Sequence, residues 1–182
     1  MKTPYLVGER VYLRPLNRDD ASVLQRQINN PEVVRTLMVW RPMSLEAETA
    51  FIERIAQSET DVVLAIALRE DDRMIGDAGL HQIDWRSRVA EFGIQIGDSV
   101  DWGKGYGTEV TRLVVRYGFE SLNLNRIWLR VYDHHPGGIR AYEKAGFRRE
   151  GVMRQGVWRE GAFHDVIVMA ILASEWKVAA GK

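Results

Sequence analysis

Cysteine is absent from the sequence. Disulfides, thiolate–zinc sites and a cysteine nucleophile are therefore excluded, and any thiol chemistry has to arrive with a ligand. Long hydrophobic runs are missing too. No segment reaches the length of a membrane span, and the opening stretch MKTPYLVGERVYL lacks an uninterrupted apolar core of signal-peptide length. The expectation is a cytoplasmic protein without membrane contact. Nor is there any net charge: 25 basic and 25 acidic residues cancel, so no overall field gathers a polyanion, and nucleic acid is not expected as a partner. Internal repeats and low-complexity stretches are also lacking. The 182 residues, 46% hydrophobic and 27% charged, suit one globular domain spanning 1–182 with one core.

Hydrophobic period divides the chain. Arg10 to Leu16 reads as a strand, and Asp19 or Asp20 as the cap of a helix reaching about Asn29, where Asn30-Pro31 breaks it. A short helical segment to about Leu37 follows, and Ser44 caps a further helix to Gln57 or Ser58. Val62–Leu68, Met74 to about Ile83, and Val89–Ile96 read as three strands of an antiparallel meander. A glycine-rich loop, Trp102–Gly107, precedes a helix to about Ser121 with Val110, Leu113, Val114 and Tyr117 on one face. Arg126–Tyr132 is a strand, Ile139–Ala145 a short helix, and Arg148–Trp158 with Phe163–Ile171 a closing hairpin, after which the tail frays from about residue 176. The sum is an α+β fold around one central, mixed, mostly antiparallel sheet flanked by helices.

The loop Trp102-Gly103-Lys104-Gly105-Tyr106-Gly107-Thr108 joins a strand to a helix start. Unpaired backbone N–H groups and the helix dipole favour an anion there, and glycines let the backbone approach a phosphate without a Cβ in the way. Taken alone, such a stretch is as readily a flexible turn. Two nucleotide motifs fail on these residues: Gly105 follows Lys104 where a Walker loop needs Ser or Thr, and Thr108 stands at the third glycine of the dinucleotide fingerprint.

Together with Glu91-Phe92-Gly93-Ile94 before it and Ala141-Tyr142-Glu143-Lys144-Ala145-Gly146-Phe147 after it, this loop resembles the GNAT superfamily of acetyltransferases in order and spacing. The Gly161–Asp165–Met169 segment is similar to the branch that acetylates the amino termini of ribosomal proteins, a branch that also holds enzymes for other amines. The resemblance implies acetyl-CoA as co-substrate, with Ile94, Gln95 and Ile96 meeting pantetheine and Lys104, Gly105, Tyr106, Gly107 and Thr108 the pyrophosphate. Two departures stand out. Trp102 replaces the usual Gln or Arg and is expected only to fill space. His135-Pro136-Gly137-Gly138 replaces an Asn followed by better helix formers, so His135 is left to cap the helix or touch the cofactor.

An amine that is protonated at neutral pH must lose a proton before it attacks a thioester. Glu91 stands at the position the family uses for its base, in a strand where partial burial would favour proton uptake. Tyr142 matches the tyrosine placed near the cofactor sulfur, where a hydrogen bond to the departing thiolate is a better description than early proton transfer. Glu91 can equally be a solvent-facing strand residue, and Tyr142 an aromatic packed under a helix. His81, His134, His135 and His164 show no metal-ligand spacing, and no metal is expected. Trp40, Trp85 and Trp158 are expected to fill the core before they line an acceptor pocket. The reading is an N-acetyltransferase acting on a primary amine, whether a protein N-terminus or a small molecule, by direct attack in a ternary complex. A homodimer is left open. The alternative is a coenzyme A-binding sensor without turnover.

Overall fold

A computed structural model describes residues 3–179. Eight strands form one sheet: β1 (Leu6–Val7), β2 (Val11–Pro15), β3 (Val62–Leu68), β4 (Met74–Asp84), β5 (Val89–Ile96), β6 (Arg126–Tyr132), β7 (Arg148–Arg159) and β8 (Ala162–Leu172). Their spatial order is β1-β2-β3-β4-β5-β6-β8-β7. Every neighbouring pair is antiparallel except β5 with β6, which is parallel. The expected mixed sheet is present, with β1 as an additional two-residue strand.

Helices cover both faces. α1 (Ala21–Ile28), α2 (Pro31–Val34) and α3 (Leu45–Ala56) lie between β2 and β3 in the chain. α3 starts as expected, the Ser44 hydroxyl accepting from Ala47 N. Asp20 is the N-cap residue of α1, as expected, but its side chain makes no cap hydrogen bond. Its carboxylate accepts from Asn17 N and from Nη1 and Nη2 of buried Arg14, both at 2.7 Å, tying the helix start to β2. α4 (Tyr106–Glu120) follows β5, and α5 (Pro136–Lys144) follows β6. α5 starts three residues before Ile139, because Pro136 suits a first helical position and Gly138 allows the His135 ring to lie against the first turn; a Cβ at Gly138 would come within 2.4 Å of that ring. The chain end is also more regular than a frayed tail: α6 (Ala173–Ala179) continues past Trp176, and residues 180–182 lie outside the described ones.

The larger core, with Leu80, Phe92, Val110, Val114, Ile127, Leu129 and Met169, lies under α4 and α5. A smaller one, Ala21, Leu24, Ile52, Ala65 and Met74, lies under α1 and α3. Strand alternation sorts β5: Ala90, Phe92 and Ile94 face the larger core, while Glu91, Gly93 and Gln95 point to the opposite face of the sheet. Trp40, Trp85 and Trp158 join neither core; they are exposed, Trp40 at 77%. Among the described residues no helix is long and apolar enough to cross a membrane.

Candidate active site

Two parallel strands that diverge make the site. β5 and β6 pair only at Val89–Arg126, Ala90–Ile127 and Glu91–Trp128, after which β5 continues to Ile96 without β6 beside it. The gap leaves backbone N–H and C=O groups of β5 open on that edge, and such groups need a partner. A cleft of about 500 Å³ opens there, lined by Ile94, Gln95 and Ile96 from β5, by the glycine loop, and by α5.

The loop presents the amino end of α4. Gly105 is the N-cap residue, at φ 87°, a left-handed conformation that favours glycine, and no side chain caps the helix. The first N–H groups of a 15-residue helix are thus left for a ligand. Arg10 braces the loop from β2: Nη1 donates to Lys104 O at 2.6 Å, Nε pairs with Glu109 at 3.0 Å, and the guanidinium lies over the Tyr106 ring. Trp102, expected only to fill space, makes a polar contact, its indole N–H donating to Ile96 O at 2.9 Å and fastening the loop to the end of β5.

Of the residues singled out from sequence, Ile94, Gln95, Ile96, Gly105, Tyr106, Gly107, Thr108, His135 and Tyr142 line the cleft. Lys104 does not; its ammonium turns to Asp101, 3.8 Å away, and Asp101 itself is held by Arg73 at 2.7 Å. Glu91 does not line it either. Its Oε1 accepts from Arg130 Nε at 2.9 Å, on the sheet face opposite Tyr142. Tyr142 rests edge-on against Phe92, ring centroids 6.1 Å apart, and burial pushes its hydroxyl up to about 12, so it is a proton donor throughout the neutral range. His135 makes no side-chain cap, and burial followed by the charge of His134 lowers its pKa.

Sequence reasoning missed several lining residues. Val33, Thr36 and Leu37 arrive from α2 and the chain after it, and Arg140 and Lys144 add positive charge from α5. The α5 pair sits four residues apart, which places both on one helix face, a signal readable once the helix is known to begin at Pro136. The cleft therefore offers an uncapped helix end, two cations and an unpaired strand edge, a set that fits a phosphorylated cofactor with an amide-bearing arm.

Comparison with known proteins agrees. A family model described as an acetyltransferase (GNAT) domain matches residues 10–148. The spermidine N(1)-acetyltransferase of Escherichia coli K12 is 30% identical over 171 residues, covering 91% of this chain and 88% of that protein. The crystal structure of the spermidine N-acetyltransferase of Vibrio cholerae in complex with CoA and spermine superposes with a TM-score of 0.86 at 25% identity, over 93% of this chain and 99% of that one. The Bacillus subtilis protein YdaF, named provisionally as a ribosomal N-acetyltransferase, is 33% identical over 107 residues, 59% of this chain and 58% of its own. The chain belongs to the GNAT acetyltransferase family, and its activity is the acetyl-CoA-dependent transfer of an acetyl group to a primary amine.

Proposed function

We propose that the acceptor is a polyamine of the spermidine class, acetylated by direct attack while acetyl-CoA is bound. The observation that carries this reading is a pair of carboxylates, Asp77 and Glu48, enclosed on the face under α1 and α3. Asp77 stands opposite Gln95 in the β4–β5 register, beside a residue that lines the cleft. Burial, then the nearby charge of Glu48, pushes Asp77 up to about 7, and burial raises Glu48 as well. Two acids held together without an ion-pair partner among the described residues favour a ligand that brings its own ammonium groups. Relatives support the same class: two that are matched over 88% or more of their length are named for spermidine, whereas the ribosomal one is matched over little more than half.

In this scheme the open edge of Ile94, Gln95 and Ile96 pairs with the pantetheine arm, and its N–H groups polarise the thioester carbonyl. Gly105, Tyr106, Gly107 and Thr108 hold pyrophosphate at the helix end, Lys104 offsets Asp101 beneath the loop, and His135 with Arg140 and Lys144 closes the other wall. Glu91 takes a proton from the acceptor ammonium through water, since its carboxylate stands outside the cleft, and this frees the amine to attack. The neutral amine nitrogen bonds to the acyl carbon, the carbon–sulfur bond breaks, the nitrogen's surplus proton passes to the departing sulfur, and Tyr142 hydrogen-bonds that sulfur as it leaves.

Thiol release from acetyl-CoA, measured with spermidine, spermine and short peptides carrying free N-termini, tests the acceptor. Turnover with the polyamines and none with the peptides is the expected result. The reverse pattern overturns the polyamine assignment, and the absence of release with acceptors of both kinds restores the binding-only reading, which the relatives named as transferases do not support.

A further inference from the structure

Asp133 follows the last residue of β6, and His134 comes next, while His164 lies near the start of β8. Antiparallel pairing of Tyr132 with Val166, extended by Asp133 N donating to Asp165 O at 3.1 Å, brings the three side chains together. Asp133 Oδ1 lies 3.2 Å from His134 Nδ1 and 3.6 Å from His164 Nδ1. A tetrahedral ion with ligand bonds of about 2.1 Å has donor–donor edges of about 3.4 Å, a value these two distances bracket. One donor atom from each residue lies within 4.8 Å of the others.

A second, independent observation comes from the other side of the His134 ring. Its Nε2 lies 3.3 Å from Arg35 O, a carbonyl that can only accept, so in the neutral ring Nε2 carries the proton and Nδ1 offers its lone pair on the Asp133 side. The Asp133 carboxylate facing that nitrogen is matched by a proton on Nδ1 or by a cation between the two groups. Donation of the remote ring N–H to a backbone carbonyl is also the arrangement that orients histidines on metals. Stacking on Tyr132, with ring centroids 5.3 Å apart, fixes the plane, and Asp133 Oδ2 is steadied by Asp165 N at 3.4 Å. The nearby guanidinium groups are engaged: Arg35 with Glu160 at 2.8 Å, and Arg159 with Leu37 O and Val39 O at 3.1 and 2.6 Å.

We propose that Asp133, His134 and His164 form a binding site for a divalent first-row transition metal of the zinc type, with solvent completing the shell. Two imidazoles and one carboxylate suit zinc or cobalt rather than magnesium or calcium, which prefer all-oxygen shells. The site stands apart from the acetyl-transfer chemistry. It ties the ends of β6 and β8 to Arg35, and the chain from Arg35 runs on to Thr36 and Leu37 in the cleft wall. The ion is thus a clamp on that wall.

Chelator-treated, tag-free protein titrated with cobalt and followed by its visible absorption, with zinc followed by calorimetry, tests the site. One ion per chain is expected, with affinity weakened at least about tenfold in His164→Ala and in His134→Ala, and unchanged in His81→Ala. All three substitutions are at side chains with solvent access, and circular dichroism verifies folding. Absence of saturable uptake, or uptake that survives His164→Ala unchanged, overturns the proposal.

Discussion

The Glu91 carboxylate is held by Arg130 at 2.9 Å, next to the last rung that joins β5 to β6. In the proposed mechanism this carboxylate receives the acceptor's proton through water. Glu91→Gln keeps an acceptor for Arg130 but cannot take that proton. Acetyl-CoA binding should survive while saturated turnover falls by about 10²-fold. The deficit should shrink as pH rises past the pKa of the amine, when the acceptor arrives neutral. Superimposed pH–rate profiles for the two proteins would remove Glu91 from this role.

Tyr142→Phe deletes one hydroxyl and keeps the ring against Phe92. Turnover should fall by roughly tenfold or more with little change in coenzyme A affinity. Because burial holds the hydroxyl near 12, the wild-type rate should show no loss from Tyr142 ionisation between pH 8 and 10. Full activity in the phenylalanine variant would return Tyr142 to a packing role.

Gly107 separates ligand effects from folding effects. A Cβ there meets only Ile96 Cδ1 at 3.8 Å, ordinary contact, and Gly107 lies in the first turn of α4. Gly107→Val should therefore leave the fold intact while weakening coenzyme A binding by about tenfold, worth about 1.4 kcal/mol. Gly105→Val is a harsher test, since φ 87° strains any β-branched residue. Calorimetric titration of a folded Gly107→Val with unchanged affinity would exclude the loop from the cofactor site.

Asp77 links stability to pH. Its carboxyl is raised from 3.8 to about 7, so the folded chain holds a proton that the unfolded chain has released between those values. Stability from this group is complete below about pH 4 and is lost as pH rises through 7. Asp77→Asn removes the penalty and should stabilise the protein by about 2–4 kcal/mol at pH 8 and by less at pH 5. Thermal denaturation of both proteins at the two pH values measures the difference. Equal gains at both would show that Asp77 is already ionised in the fold. Spermidine should narrow the gap at pH 8 by pairing with the carboxylate.

Local signals carried much of this structure. Val62–Leu68, Val89–Ile96 and Arg126–Tyr132 are strands with the limits their apolar runs set, because each is bounded by turn residues and central in the sheet. β1 escaped notice because two residues have no period. The start of α5 was legible in part: the helical run reads from Ile139, while Pro136 suits the first helical position after His135, and the position of the His135 ring explains the glycine at 138. In the site, the glycine loop was legible from its own residues. The approach of the Lys104 ammonium to Asp101, three residues back, was not legible, since it depends on how the loop folds. Val33 and Leu37 reach the cleft from a distant part of the chain, and His134 meets His164 only through strand pairing, so sequence spacing registers neither.

The early end of the β5–β6 ladder has a consequence for amide exchange. A central strand ordinarily gives up its amide protons only when the whole domain opens, because both of its edges are bonded. Past Glu91, β5 has one such edge. The β6-facing amides between Phe92 and Ile96 should then exchange with deuterium far sooner than those of β3 or β4, although they lie in the middle of an eight-stranded sheet. Coenzyme A should slow these few amides selectively, marking where a ligand takes the place of a missing strand.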